Sequence, residues 1–159
     1  MTDDTMSAVC TINAPAETVF AVLADPTTHQ AIDGTGWVRE SLDGKALTES
    51  GQIFRMAMYH DNYGGMHYEM ANRVEVFEPA RAIGWLPGQG ADDANIEFGG
   101  WTWRYDLKPL GDDRTEVTLT YDWSAVPPAL RKEIEFPPFD RQHLDNSLKH
   151  LAGLAQDRA

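Results

Sequence analysis

Two residues four apart, His29 and Asp33, are the first candidates for chemistry in this chain. On a helix they share a face, so the carboxylate could orient the imidazole as an acid/base pair; the alternative is a turn-capping Asp33 beside a surface His29. His60 closes a strand-like run in phase with Met58, either at the mouth of a space bordered by that strand or exposed in the turn. Asn72 falls in phase with Met70 and Val74 on an apolar face, where a buried amide needs a ligand or a neighbouring backbone group. Tyr68, Tyr105 and Tyr121 add phenol groups able to orient a carbonyl or a hydroxyl. His143 and His150 flank the apolar arc of a C-terminal helix at about 100–120° from its centre and read as rim residues.

Other chemistries find no support. The 5 histidines come without a thiolate cluster or an HExxH spacing, so neither a metal site nor a cofactor is expected. Gly88-Gln89-Gly90 has glycines at nucleotide-loop spacing, but Asp92 and Asp93 follow where phosphate would sit and no helix opens there. No Gly-x-Ser-x-Gly elbow exists, and Cys10 has no activating neighbours in the sequence and reads as a small buried hydrophobe. Lys and Arg number 13 against 25 Asp and Glu, a formal charge of −12. Such a surface repels phosphate backbones and anionic lipid, which speaks against nucleic-acid and membrane-surface roles. No apolar run approaches the ~18 residues of a membrane span, and Met1-Thr2-Asp3-Asp4 does not open a signal peptide. A cytoplasmic single domain over residues 1–159, monomeric or homodimeric, is the expectation.

The elements that would position these residues follow from periodicity. Over Asp140–Gln156, Leu144, Leu148, Leu151 and Ala155 stack on one line of a helical wheel opposite Asp145, Asn146 and Lys149. Asp140 is a candidate N-cap, and Phe136-Pro137-Pro138-Phe139 blocks an earlier start. Ser7–Asn13 reads as a strand, and Pro15 opens a helix with a Val19, Phe20, Leu23 stripe that ends at Asp25-Pro26. A second short helix over Thr27–Ile32 and a modest strand over Trp37–Leu42 follow. Gly51–His60 and Met66–Phe77 pair as a hairpin. Phe54, Met56 and Met58 share a face on one strand; Met66, Tyr68, Met70, Asn72, Val74 and Val76 share one on the other. Arg81–Leu86 is a short strand and Pro87–Gly100 a long connection. Trp101–Pro109 and Thr115–Trp123 form a second hairpin, with Trp103, Tyr105, Leu119, Tyr121 and Trp123 on its apolar side. Pro127-Pro128 begins a short helical excursion to about residue 134. One polar and one apolar face throughout predict an α+β domain, a curved antiparallel sheet of about seven strands wrapped around the long C-terminal helix.

That element order resembles the START-related helix-grip (SRPBCC) superfamily. So do Ala14-Pro15-Ala16-Glu17-Thr18-Val19-Phe20, Ala24-Asp25-Pro26-Thr27-Thr28-His29 and Gly100-Trp101-Thr102-Trp103-Arg104-Tyr105 leading to a Thr-Glu-Val-Thr strand. Within the superfamily the chain is similar to the bacterial polyketide cyclase/dehydrase and lipid-transport family. The resemblance implies a deep cavity between sheet and C-terminal helix, used for hydrophobic ligands. It carries over no fixed catalytic set, because members include lipid carriers, hormone receptors, aromatase/cyclases and Hsp90 co-chaperone modules.

Phe54, Met56, Met58, Tyr68, Met70, Asn72, Trp103, Tyr105, Leu119, Tyr121 and Trp123 would then line the space under Leu144, Leu148 and Leu151. Aromatics with polar tips and flexible Met side chains suit a flat or apolar ligand. The expected function is binding of a hydrophobic or aromatic, polyketide-like or lipid, small molecule. One alternative is a cyclase, dehydratase or hydrolase using His29, Asp33 or His60 at that cavity. The other is an Hsp90-activator-like interaction module.

Overall fold

A computed structural model describes residues 4–33, 38–42, 44–60, 66–90, 92–133 and 141–158, with the side chains of Glu40, His60, Met66, His67, Asp93 and Glu133 outside that description. Strand β1 (Thr5–Ile12) leads into helix α1 (Ala16–Leu23), a 3-10 turn (Pro26–Thr28) and the one-turn helix α2 (His29–Ile32). Strands β2 (Val38–Ser41), β3 (Ile53–His60), β4 (Met66–Glu78), β5 (Ala82–Gln89), β6 (Glu97–Phe98), β7 (Thr102–Pro109) and β8 (Thr115–Asp122) follow, then helices α3 (Pro128–Glu133) and α4 (Arg141–Arg158). The strands form one antiparallel sheet in the order β1-β8-β7-β5-β4-β3-β2, with the two-residue β6 paired to β5. This is the α+β helix-grip architecture. Asp140 and Phe136-Pro137-Pro138-Phe139 lie outside the described residues, as do Trp37 and the Asp61–Gly65 turn.

The helix wheel places the core correctly. Leu144, Leu148, Leu151 and Ala155 are all buried, and α4 lies along β1, α1 and α2 with a lighter touch on β8. Those four side chains share one core with Ala8, Ile12, Val19, Leu23 and Leu119, on which the open sheet curls. None of the described helices is long and apolar enough to cross a membrane.

Register explains two departures from the periodicity. A shift between Val74 and Val76 in the β4–β5 pairing changes the phase of β4, so Phe77 rather than Val76 packs on the core, its ring edge-on to Phe20 at 5.2 Å. A bulge does this because one extra residue reverses the alternation beyond it. Strand β5 also runs past Leu86 through Pro87 to Gln89, in what reads from sequence as a connection. Pairing with β7 ends at Trp85, so Pro87, which has no N–H to give, faces β4 only and costs no rung on the β7 side.

Candidate functional site

The inner face of the sheet is set by rungs that run across it. Met6, Tyr121, Trp103, Trp85 and Val74 follow one another across β1, β8, β7, β5 and β4; Phe54 pairs with Asn72, Met56 with Met70 and Met58 with Tyr68. This face has a tight part and a looser one. Leu119, Ile83 and Val74 are fully buried, as are Leu144, Leu148 and Leu151 of α4, whereas Met58, Tyr68, Trp85 and Trp103 are only half-buried. Phe54, Met56, Met70, Tyr105 and Tyr121 lie between, all buried, and Trp123 forms a small adjoining cluster with Tyr121 and Val126. Sequence reading left out Trp85, although the Ile83-x-Trp85 alternation opposite Trp103 and Tyr105 was there to be read.

Two aromatic groups meet along β7. Phe54 and Trp85 are edge-on at 5.6 Å, and Trp85 lies 6.0 Å from Tyr105. Trp103 sits 4.5 Å from Tyr121, which in turn lies 5.7 Å from Trp123. Burial pushes the Tyr105 hydroxyl well above its ordinary pKa, and the nearby charge of Asp33 and Cys10 adds to it; burial does the same to Tyr121. Both therefore stay neutral phenols. The Cys10 thiol is also pushed up, by burial and then by Asp145, which disfavours its thiolate form.

The polar candidates separate. Thr28 Oγ1 donates to the carbonyls of Val22 (2.6 Å) and Asp25 (2.8 Å), and the His29 Nε2 lies 2.8 Å from that of Leu23. The Val22 and Asp25 carbonyls also accept the N–H groups of Asp25 and Thr28, so it is the Leu23 carbonyl at the end of α1 that His29 caps, its ring packed among Phe54 and Trp85. Desolvation lowers its pKa, against a smaller upward pull from the Leu23 bond and Asp25. Asp33, one turn on, looks elsewhere. Its Oδ2 accepts from the Val38 N–H at 3.2 Å, and its Oδ1 lies 3.8 Å from His143 Nε2 on α4. The His143 ring meets Trp103 edge-on at 5.9 Å. His150, seven residues further along α4, places Nδ1 3.1 Å from the Ile32 carbonyl. Both histidines that sequence reading put on the rim thus meet the end of α2. Asn72 Nδ2 donates to the Phe54 carbonyl at 3.4 Å. The His60 side chain lies outside the described residues.

Asp33 and His143 therefore stand together at the looser end of the inner face, with side chains only 8% and 9% exposed. Asp33 holds Val38, which pairs with Met58, which pairs with Tyr68. The outer face carries an open cleft of about 360 Å³ lined by Glu78, Arg81, Arg104, Asp106, Lys108 and Glu116 among others. Its mixed charges are solvated, as in the Arg104–Asp106 pair at 3.0 Å. Among the described residues no group of three or more His, Cys, Asp or Glu is placed to hold a metal.

Residues 13–154 match the family described as activator of Hsp90 ATPase homolog 1-like protein. The chain belongs to that family. An uncharacterized protein of Mycobacterium tuberculosis is 30% identical over 115 residues, 72% of this chain and 46% of its own length. The chain thus spans about half the length of the curated relatives it matches. A protein of Nitrosomonas europaea has the same fold at TM-score 0.70 and 14% identity, covering 97% of this chain and 95% of the other. The Zhui aromatase/cyclase of a Streptomyces species matches at TM-score 0.59 and 19% identity, covering 97% and 94%. The fold of this family member is that of the START-related helix-grip superfamily.

Proposed function

We propose that this protein binds a small hydrophobic or aromatic molecule between the inner face of the sheet and α4. The observation that carries this reading is the half-buried state of Met58, Tyr68, Trp85 and Trp103 beside the buried Phe54, Met56, Met70 and Tyr105. Half-exposed aromatic and thioether side chains turned inward are what a site for a flat apolar ligand presents. The fold shared with an aromatase/cyclase supports the same reading. The family description points to an Hsp90 partner as the second reading. Among the described residues the exposed large apolar side chains are Val9, Leu42 and Leu110, each in a different element or loop, which supports a ligand site over a docking patch.

Tryptophan fluorescence during titration with naphthalene tests the proposal, because Trp85 and Trp103 stand on the half-buried face. Saturable quenching that weakens about tenfold in Trp103→Ala is the expected result. A linear, unsaturable response would overturn it and leave the interaction module as the reading to pursue.

A further inference from the structure

We propose that the free edge of β1 is an interface between copies of this chain, two β1 strands pairing antiparallel about a two-fold axis at Ala8.

The direction of the main-chain groups carries it. Trp123 N–H donates to the Asp4 carbonyl at 2.8 Å, and β1 runs in unbroken register with β8 from Thr5 opposite Asp122 to Ile12 opposite Thr115. Antiparallel partners exchange hydrogen bonds at every second pair. Met6, Ala8, Cys10 and Ile12 therefore bond β8, and the N–H and C=O groups of Thr5, Ser7, Val9 and Thr11 point away from it. No strand lies on that side, because β1 is the last of the sheet. Among the described residues none of these groups has a hydrogen bond. The next N–H in phase, that of Asn13, donates to Gln156 Oε1 of α4 at 3.1 Å, which ends the open row.

The two edges of the sheet differ. Strand β2 has 4 residues, carries Arg39 and Glu40 and meets β3 in a shifted register. Those features keep an edge from pairing with a neighbour. Strand β1 has 8 residues with no charge, no proline and no bulge. The side chains of Thr5, Ser7, Val9 and Thr11 are exposed, and Val9, at 57%, is the most exposed large apolar residue described. Ala8 and Ile12, in the alternate phase, belong to the core shared with α4.

A second copy of β1 is the occupant that fits this row. With Ala8 opposite Ala8, Thr5 meets Thr11 and Ser7 meets Val9. Every open N–H then finds a carbonyl of the other copy, and the two Val9 side chains become diagonal neighbours on one face. The row bears no charge, so the pairing brings no like charges face to face although each chain carries −12. A contact of strand edges alone is small, so the dimer should half-dissociate at about 10–100 µM.

Sedimentation velocity of the whole chain from about 5 to 500 µM tests the interface. The expected result is a reversible dimer that tightens with salt, which screens repulsion between two acidic chains. Val9→Lys sets two like charges beside the axis and should weaken the dimer at least about tenfold, even though it lowers the net negative charge. Its near-ultraviolet circular dichroism should match the wild-type monomer. Amide exchange in the wild-type protein gives a check that needs no variant. The Ser7, Val9 and Thr11 protons should exchange fast when dilute and slowly when concentrated, with those of Ala8 and Cys10 slow in both. A chain still monomeric at about 500 µM overturns the proposal. So does a dimer that survives Val9→Lys, loosens with salt or leaves the Ser7, Val9 and Thr11 amides unprotected, since its contact lies elsewhere.

Discussion

The imidazole of His29 lies flat on the indole of Trp85, with centroids 4.9 Å apart and planes 17° apart, while its Nε2 meets the Leu23 carbonyl at 2.8 Å. The carbonyl can only accept, so Nε2 carries the proton and the ring caps α1 in neutral form. His29 thus joins the end of α1 to Phe54 and Trp85 on the inner face of the sheet.

That arrangement makes stability fall on acidification. Burial depresses the folded-state pKa of His29, while in the unfolded chain it titrates at about 6.5. Above that value both states are neutral and there is no effect. As pH drops below it, the unfolded state takes up a proton that the folded state refuses, and stability declines until pH passes the folded pKa. The slope from this one group reaches at most about 1.4 kcal/mol per pH unit. Urea unfolding between about pH 7.5 and 5 should show it. His29→Gln, which can keep a donor near Leu23, should flatten the slope while costing about 1–2 kcal/mol at neutral pH through the lost stacking. An unchanged slope in the variant would show that His29 is not the group responsible.

Two tyrosines set the alkaline limit. Tyr105 and Tyr121 are held above the ordinary phenol value by burial, whereas unfolded tyrosines ionise near pH ~10. Below that pH both states are neutral and the linkage is silent. Above it the unfolded chain loses protons that the folded chain keeps, so stability falls as pH rises. Ultraviolet titration of the folded protein should therefore find two of its 5 tyrosines ionising only as the protein unfolds. Tyr105→Phe should remove one of them and reduce the alkaline loss. Five tyrosines titrating together near their ordinary value before unfolding would refute the burial argument.

How far the sequence reveals this molecule depends on the range of the contact. Period-3.6 and period-2 patterns are local, and they place Leu144, Leu148 and Leu151 on one side of α4 and Phe54, Met56, Tyr105 and Leu119 on the inner sheet face. The phase of Val76 and Phe77 was not legible, because a bulge depends on pairing with β5. Pro87 hid the end of β5, since proline argues against a strand unless one of its neighbours ends there. Asp33 and His143 meet across the fold, from residues far apart in the chain. Helical spacing offered His29 as Asp33's partner, but the Leu23 carbonyl at the end of α1 claims the His29 ring instead. The one usable signal was the seven-residue spacing of His143 and His150, which puts both on the side of α4 that meets Ile32 and Asp33.

Gly100 tests how firmly the start of β7, and with it Trp103, is held. Its φ of +96° lies where side chains are disfavoured, and a Cβ added there would come within 2.5 Å of the Ala125 carbonyl oxygen. Gly51 has a similar φ of +87° with nothing within 4 Å of an added Cβ. Alanine at Gly51 thus reports the backbone term alone, about 1–2 kcal/mol. Alanine at Gly100 adds a clash with main chain that cannot rotate away, so it should cost at least about 2 kcal/mol more. Because Trp101 and Trp103 follow directly, it should also shift the folded-state fluorescence, which Gly51→Ala should leave in place. Denaturant midpoints and emission maxima for the two variants check this. Equal costs would mean that β7 can move away from the Ala125 turn, and that the half-buried setting of Trp103 owes nothing to that close approach.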